Sequence, residues 1–204
     1  MQPFTRLTGI ACPLPFANID TDQIVPARFM STPRAAGYGG FLFHDRRRGP
    51  DGQPTGAFAL DRPAWAGAQI VVAKRNFGCG SSREAAVYAL MDFGIRCVIA
   101  PSFGEIFGGN SLSNGLLNAR VSEAEADALI NELEAGGGDL TVDLEGQTIA
   151  TVGSAMRFEI DSAAKVRLLN GWDDIQMTLS YADRIAAFQA HDQNVRPWAA
   201  SRAD

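Results

Sequence analysis

Residues Ala73 to Leu90 read AKRNFGCGSSREAAVYAL. The run Gln69-Ile70-Val71-Val72-Ala73 leads into this stretch, and an apolar segment at helical spacing closes it. Between them stand Asn76, Gly78 and Gly80, then Ser81, Ser82, Arg83 and Glu84. That order predicts a strand, a glycine turn and a helix N-terminus. Such a turn presents backbone N–H groups beside a positive helix end, where an anion binds. Gly78 and Gly80 let the backbone approach a ligand closely. Ser81, Ser82 and Arg83 are the polar groups offered there.

On the C-terminal side, the pattern predicts a helix that Ser81 and Glu84 open as an S-x-x-E capping box and that ends at Gly94. Ile95 to Ala100 is a nearly all-apolar run of the kind buried in a parallel sheet. Ser102 with Glu105 predicts a second box and a short helix around Phe103–Phe107. Leu116-Leu117 leads into Ala119-Arg120-Val121. Ser122 with Glu125 predicts a third box and a helix over Glu123–Ala135, stopped by Gly136-Gly137-Gly138. Leu140–Leu144, Thr148–Val152 and Met156–Ile160 alternate at period two and read as a β-meander. Helices are expected over Ala163–Asn170 and Ala182–His191, with Ile175–Leu179 ambiguous and a loose tail from Val195 to Asp204.

On the N-terminal side, Thr8–Phe16 reads as a strand ended by prolines. Asn18 to Pro26 (NIDTDQIVP) reads as a loop of side-chain-capped turns, and Pro26 bars a helix interior there. Residues 31–68 are rich in proline and glycine with little periodicity. About 35 such residues exceed an ordinary connector, so they are expected to form a lid over the turn. Their aromatics and arginines suit an anionic, partly apolar ligand. The whole, residues 1–204, is read as one mixed α/β domain with helices around one sheet.

Of 204 residues, 46% are hydrophobic and 20% charged, as in a globular protein, and the net charge of −5 offers no basic face to nucleic acid. No stretch approaches the ~20 apolar residues of a membrane span, and the N-terminus lacks a signal-peptide layout. A cytoplasmic protein is expected. Cys12, Cys79 and Cys97 show no CxxC spacing, and the two histidines add little, so neither a disulfide framework nor a protein-only metal site is expected. Cys79 in the turn is a candidate reactive thiol, because helix N-termini lower thiol pKa values.

Three chemistries compete for the turn. Ser81 is a helix cap with Glu84 as its box partner. Alternatively the turn holds a phosphate, although it matches neither GxxxxGK[ST] nor GxGxxG. Or it is a carboxylate-binding acid/base site, with Arg83 as a bidentate fork and Ser81 moving a proton. A serine base needs its alkoxide stabilised by the turn N–H groups, the helix end and Arg83. Expelling a hydroxyl further requires a Lewis acid that these residues do not supply, so a partner must complete the site.

Asn76-Phe77-Gly78-Cys79-Gly80-Ser81-Ser82-Arg83-Glu84 resembles the signature of the small subunit of 3-isopropylmalate dehydratase, a relative of the aconitase swivel domain. Asn18–Pro26, Tyr38–Asp45 and Ile99–Phe107 followed by Gly109-Asn110-Ser111 are also similar to that family, in the same order along the chain. The resemblance implies a swivelling β/β/α domain, a mixed sheet flanked by helices. It implies a heterodimer or larger assembly with a large subunit that carries a [4Fe–4S] cluster, this chain binding no cofactor itself. The implied reaction is isomerisation of 2-isopropylmalate to 3-isopropylmalate by dehydration and rehydration in leucine biosynthesis.

By the same resemblance Ser81 is the proton-transferring serine. Ser82 and Arg83 bind the carboxylate of a small dicarboxylate substrate, and Asp22 pairs with a histidine of the cluster-bearing subunit. Arg34 lies near the position of a further substrate arginine. Phe29 and Met30 are candidates to line the isopropyl pocket. After Glu84 the chain reads Ala85-Ala86-Val87-Tyr88, where bacterial small subunits usually read His-Ala-Pro-Trp. A citraconate- or methylmalate-type diacid, and a non-catalytic partner subunit, are the alternatives that this departure leaves.

Overall fold

The computed structural model describes residues 1–136 and 138–199. Contacts gather the chain into two compact units, Met1–Gly171 and a second from Trp172 onward, where the sequence is read as one domain. The first unit is built on a sheet of seven strands: β1 (Arg6–Leu14), β2 (Ile70–Ala73), β3 (Cys97–Ala100), β4 (Leu117–Arg120), β5 (Asp139–Asp143), β6 (Thr148–Ala150) and β7 (Ala155–Arg157). Their spatial order is β4-β3-β2-β1-β5-β6-β7. The mixed α/β sheet with flanking helices is the expected fold class.

β1 is the pivot. Its first half, Arg6 to Ile10, pairs antiparallel with β5, and its second half, Ala11 to Leu14, pairs parallel with β2. The absent N–H of Pro13 is tolerated because that half has a partner on one side only. From β1 to β4 the strands run parallel, and from β5 to β7 they form the expected meander. A bridge between Arg120 and Glu159 joins the end of β4 to the chain beyond β7, so the sheet curls until its two edges meet.

Helices cover both faces: α1 (Thr21–Ile24), α2 (His44–Arg47), α3 (Glu84–Phe93), α4 (Glu105–Asn114), α5 (Glu123–Gly136) and α6 (Ser162–Asn170). Strand alternation divides the core between them. Cys12, Leu14, Val71 and Ala73 join α3 and α4 residues in one cluster, while Ala11, Ile70 and Val72 join α5 in the other. Leu129, Ile130 and Leu133 of α5 are buried against that second face, as their helical spacing predicts. Each such side chain contributes about 1.5–3 kcal/mol by leaving water.

Several local expectations change. Asn18–Pro26 is not all loop: α1 forms a single turn capped by Asp20, whose carboxylate accepts from the Gln23 N–H at 2.7 Å. Residues 31–68 contain α2 and short 3-10 turns, and Tyr38, Leu42, Phe43, Phe58, Leu60 and Trp65 are buried in the core. The expected lid is therefore an anchored segment. Arg47, itself buried, ties α2 to Asp61 at 2.7 Å. α4 runs twice as far as expected, through Gly108 and Gly109.

Of the three capping boxes only the third forms, with Glu125 N–H on the Ser122 hydroxyl and Ser122 N–H on the Glu125 carboxylate. α3 ends where expected, on Gly94 in the left-handed region (φ 112°). In the second unit, Ile175–Leu179 resolves into α7 (Asp174–Leu179), opened by an Asp173–Gln176 capping box, and α8 spans Ala182–Val195. The rest of the expected loose tail, from residue 200, lies outside the described residues.

Candidate active site

Strands β1 to β4 are parallel, so their carboxyl ends share one edge of the sheet. That edge is where α/β sheets bind ligands. The glycine turn after β2 lies there, clamped from both sides. On one side the segment after β1 runs along it. Gly78 N–H donates to Ile19 C=O at 2.7 Å, Thr21 N–H to Cys79 C=O at 2.8 Å, and Asp20 and Cys79 form a bridge.

On the other side is the segment entering α4. Phe77 N–H donates to Ser102 C=O at 3.0 Å and Gly104 N–H to Phe77 C=O at 2.8 Å. Gly78 has φ 71°, and a Cβ there would overlap the Phe107 ring. A Cβ on Gly104 would overlap the Gly78 carbonyl. Both positions therefore demand glycine.

Ser81 is exposed, and it does not cap α3. The cap position is Arg83, which makes no side-chain cap bond. The predicted Ser81–Glu84 box fails because Glu84 is engaged elsewhere. Its carboxylate accepts from Asn114 Nδ2 at 2.9 Å. Burial, and then the nearby Glu84 carboxylate, raise the Tyr88 pKa. The Ser102–Glu105 box fails likewise: Ser102 Oγ accepts from the Asn76 N–H at 2.9 Å, and α4 begins on Gly104. Among the described residues, the Ser81 and Ser82 hydroxyls have no protein partner.

Asp22 stands beside them. Its carboxylate takes a hydrogen bond from Arg83 Nη1, and among the described residues Nε and Nη2 of the guanidinium have no hydrogen-bond partner. The Arg83 side chain is 13% exposed and that of Asp22 54%. Thr21 is 2% exposed, and its hydroxyl donates to the Ser81 carbonyl at 2.9 Å. Sequence reasoning missed Thr21; its place next to Asp22 was the available signal.

The structure thus brings Ser81, Ser82, Arg83 and Asp22 together. Arg34 meets α3 further along. Both Arg34 Nη atoms are held by Asp92, at 2.6 and 2.7 Å, and its guanidinium stacks on the Tyr88 ring at 4.4 Å. Asp92 lies in the last turn of α3, about 12 Å along the helix from Glu84. Both Nη atoms of Arg34 are therefore engaged by Asp92. Phe29 stacks on Phe41 at 4.2 Å, while Met30 is exposed.

Cys79 is a correction as well. Burial, and then Asp20, raise its thiol pKa, so the helix end does not make it a ready thiolate. Burial also pushes Cys12 up to about 12 and raises Cys97. Cys12 and Cys97 lie in opposite core clusters. The three thiols do not converge, and among the described residues no group of three His, Cys, Asp or Glu side chains is placed to hold a metal ion.

Comparison with known proteins agrees with this arrangement. Residues 1–124 match the aconitase C-terminal domain, 127–162 match the family described as LeuD_N, and 174–202 match the C-terminal domain of the 3-isopropylmalate dehydratase small subunit. The 3-isopropylmalate dehydratase small subunit of Jannaschia sp. (strain CCS1) is 48% identical over 97% of this chain and all of its own length. That of Sinorhizobium fredii (strain NBRC 101917 / NGR234) is 47% identical over 98% of this chain and all of its own. A crystal structure of 3-isopropylmalate dehydratase from Methanocaldococcus jannaschii superposes with a TM-score of 0.63 at 24% identity, over 90% of this chain and 99% of that one, and supports the fold. With the glycine turn, its flanking motifs and these full-length relatives in agreement, the chain belongs to the 3-isopropylmalate dehydratase small-subunit family.

Proposed function

We propose that this chain is the small subunit of a heteromeric hydro-lyase that interconverts 2-isopropylmalate and 3-isopropylmalate in leucine biosynthesis, working in the cytoplasm. The observation that carries the reading is the pairing, on one rigid turn, of an uncapped serine hydroxyl with a guanidinium whose Nε and Nη2 have no hydrogen-bond partner among the described residues. The names of the full-length relatives supply the reaction and imply a large-subunit partner.

In this reading Nε and Nη2 of Arg83, with Ser82 beside them, grip one substrate carboxylate as a fork. Ser81 takes the proton from the substrate carbon, and the electrons left behind form the double bond as hydroxide departs. Its alkoxide is stabilised by Arg83, which Asp22 holds in place before reaction. Returning that proton to the other carbon as water adds back gives the isomer. The partner's [4Fe–4S] cluster supplies the Lewis acid for the hydroxyl when the subunits join. Asp22, half-exposed beside Arg83, faces the partner's histidine.

Ala85, the departure from the usual His, is buried in the core cluster, so the change leaves the polar groups of the turn untouched. That favours a catalytic subunit over a non-catalytic one.

The test is reconstitution. The purified chain alone is expected to show no dehydratase activity, and co-expression with the large subunit to give turnover of isopropylmalate in preference to citraconate. Ser81→Ala in the complex is expected to remove that turnover. Activity from the isolated chain, or full turnover by the Ser81→Ala complex, would overturn the reading.

A further inference from the structure

Strands β1 and β2 stop pairing at Leu14 and Ala73, and their chains pair again at Asp20 and Cys79, close to Ser81. Positions 14 and 73, and then 20 and 79, differ by 59 in each case, so the register survives the gap between them. From there the pairing runs on into the candidate site. Gly78 N–H donates to Ile19 C=O, Thr21 N–H to Cys79 C=O, the Thr21 hydroxyl to Ser81 C=O, and Arg83 Nη1 to Asp22. Whatever carries the register across the gap therefore decides where Ser81 and Arg83 stand relative to Asp22.

Within the gap each chain turns on one left-handed asparagine, Asn18 (φ 56°) and Asn76 (φ 64°). Crowding at Cβ makes this conformation costly for most side chains, and asparagine is among the few that visit it readily. The two are bonded to each other: Asn76 Nδ2 donates to Asn18 Oδ1 at 2.8 Å. The backbone of each is tied as well. Asn18 N–H donates to Arg75 C=O at 3.0 Å, and Asn76 N–H to Ser102 Oγ at 2.9 Å. Asn76 thus joins the segments that leave β1, β2 and β3. Strained backbone of this kind persists where its surroundings over-determine it, and it gathers at functional sites.

We propose that Asn76 and Asn18 are positioning residues, an amide latch that carries the β1–β2 register around the corner and so sets Ser81 and Arg83 against Asp22. They act through the turn and not on the substrate. Asn76 gives the donor and Asn18 the acceptor, so the bond has a direction. Asn18→Asp keeps an acceptor at its end of the bond. Asn76→Asp puts a second acceptor where the donor stood. The two changes add the same charge at nearly the same place, yet only the second breaks the latch. Its effect on turnover rests on the proposed role of Ser81; the latch itself does not.

The experiment compares these two variants with Asn76→Gly, which keeps the left-handed backbone and removes the amide. Amide hydrogen exchange is read at Gly78 and Thr21 in the purified full chain. Asn76→Asp and Asn76→Gly are each expected to speed both amides by about tenfold while the amides of β2 and β3 keep their rates. Asn18→Asp is expected to leave Gly78 and Thr21 at wild-type rates. In the complex reconstituted with the large subunit, both Asn76 variants are expected to lower kcat by about tenfold with KM within about twofold. Asn18→Asp is expected to keep the wild-type kcat.

Wild-type exchange at Gly78 and Thr21 in both Asn76 variants overturns the latch. So does a loss that falls equally on Asn18→Asp. Faster exchange with unchanged kcat overturns the positioning role. A wild-type complex without isopropylmalate turnover counts against the proposed reaction alone, and the exchange rates then decide the latch.

Discussion

The hydroxyl of Thr21 donates to the carbonyl of Ser81 at 2.9 Å, across 60 residues of chain. With the Thr21 N–H on Cys79 C=O, one residue thus holds two carbonyls of the turn, that of Ser81 among them. Thr21→Val keeps the shape and removes the hydroxyl, leaving the carbonyl without its partner. A stability loss of about 1–3 kcal/mol is expected in denaturant unfolding. In the reconstituted enzyme kcat is expected to fall more than KM rises, with Thr21→Ser restoring both. A Thr21→Val enzyme with unchanged kcat rejects this positioning role.

Gly78 has no room for a side chain, since its Cβ would meet the Phe107 ring and its φ is 71°. Gly78→Ala is expected to destabilise by more than about 1 kcal/mol, from backbone strain and overlap together. Adding Phe107→Ala relieves the overlap but not the strain. The double variant should therefore be more stable than the sum of the two single losses, which a double-mutant cycle reads directly.

In the proposed reaction Arg83 is the carboxylate fork, with Nη1 held by Asp22. Lysine keeps the charge and loses the planar pair of donors. Arg83→Lys is expected to lower kcat/KM for isopropylmalate by about 10–100-fold. Equal kcat/KM for the lysine variant and the wild type would show that the fork does not bind the carboxylate.

Arg47 and Asp61 form an ion pair at 2.7 Å with side chains only 10% and 12% exposed. The same guanidinium lies over the Phe93 ring at 4.7 Å. Asp61→Ala leaves a buried charge uncompensated, a change that costs about 3–5 kcal/mol. Limited proteolysis should then cut within residues 44–65, where the wild-type chain resists. Unchanged protease resistance would show that this pair does not anchor the segment.

The thiols set an alkaline limit. The folded pKa of Cys12 is raised to about 12 by burial, and that of Cys97 is raised as well. A raised folded pKa means that the native state keeps its proton after the unfolded chain has lost it. The stability these thiols contribute is full below the unfolded pKa of about 8.5 and is lost as pH rises toward the folded value. Each thiol costs about 1.4 kcal/mol per pH unit within that window. Cys12→Ala is expected to flatten the fall between pH 9 and 12 in a urea-unfolding series, and an unaltered slope would count against the buried, protonated thiol. At pH 7 iodoacetamide should label all three cysteines slowly in the native chain, Cys79 first because it alone is partly exposed.

Much of the framework was legible along the chain, because it depends on neighbours in sequence. The apolar run before Gly78, the left-handed stop at Gly94, the Ser122–Glu125 box and the period-two meander each rest on bonds or burial within a few residues. The serine, arginine and aspartate of the turn stand out by type and order. The sequence therefore determined the α/β class and its order of elements. It also determined that Ser81, Ser82 and Arg83 share one turn.

What the tertiary structure alone decided is which partner each polar group takes. Ser81–Glu84 and Ser102–Glu105 carry the same local pattern as Ser122–Glu125, yet both fail. Ser102 is claimed by the Asn76 N–H, 26 residues away, and Glu84 by Asn114, 30 residues on. Arg34 is claimed by Asp92, 58 residues away, and the Ser81 carbonyl by Thr21. A capping pattern counts only the donors and acceptors within one helical turn. Once parallel strands bring their carboxyl ends to a common edge, distant groups reach the same oxygens with better geometry. The local bond then gives way, and the Ser81 hydroxyl is left free at the sheet edge.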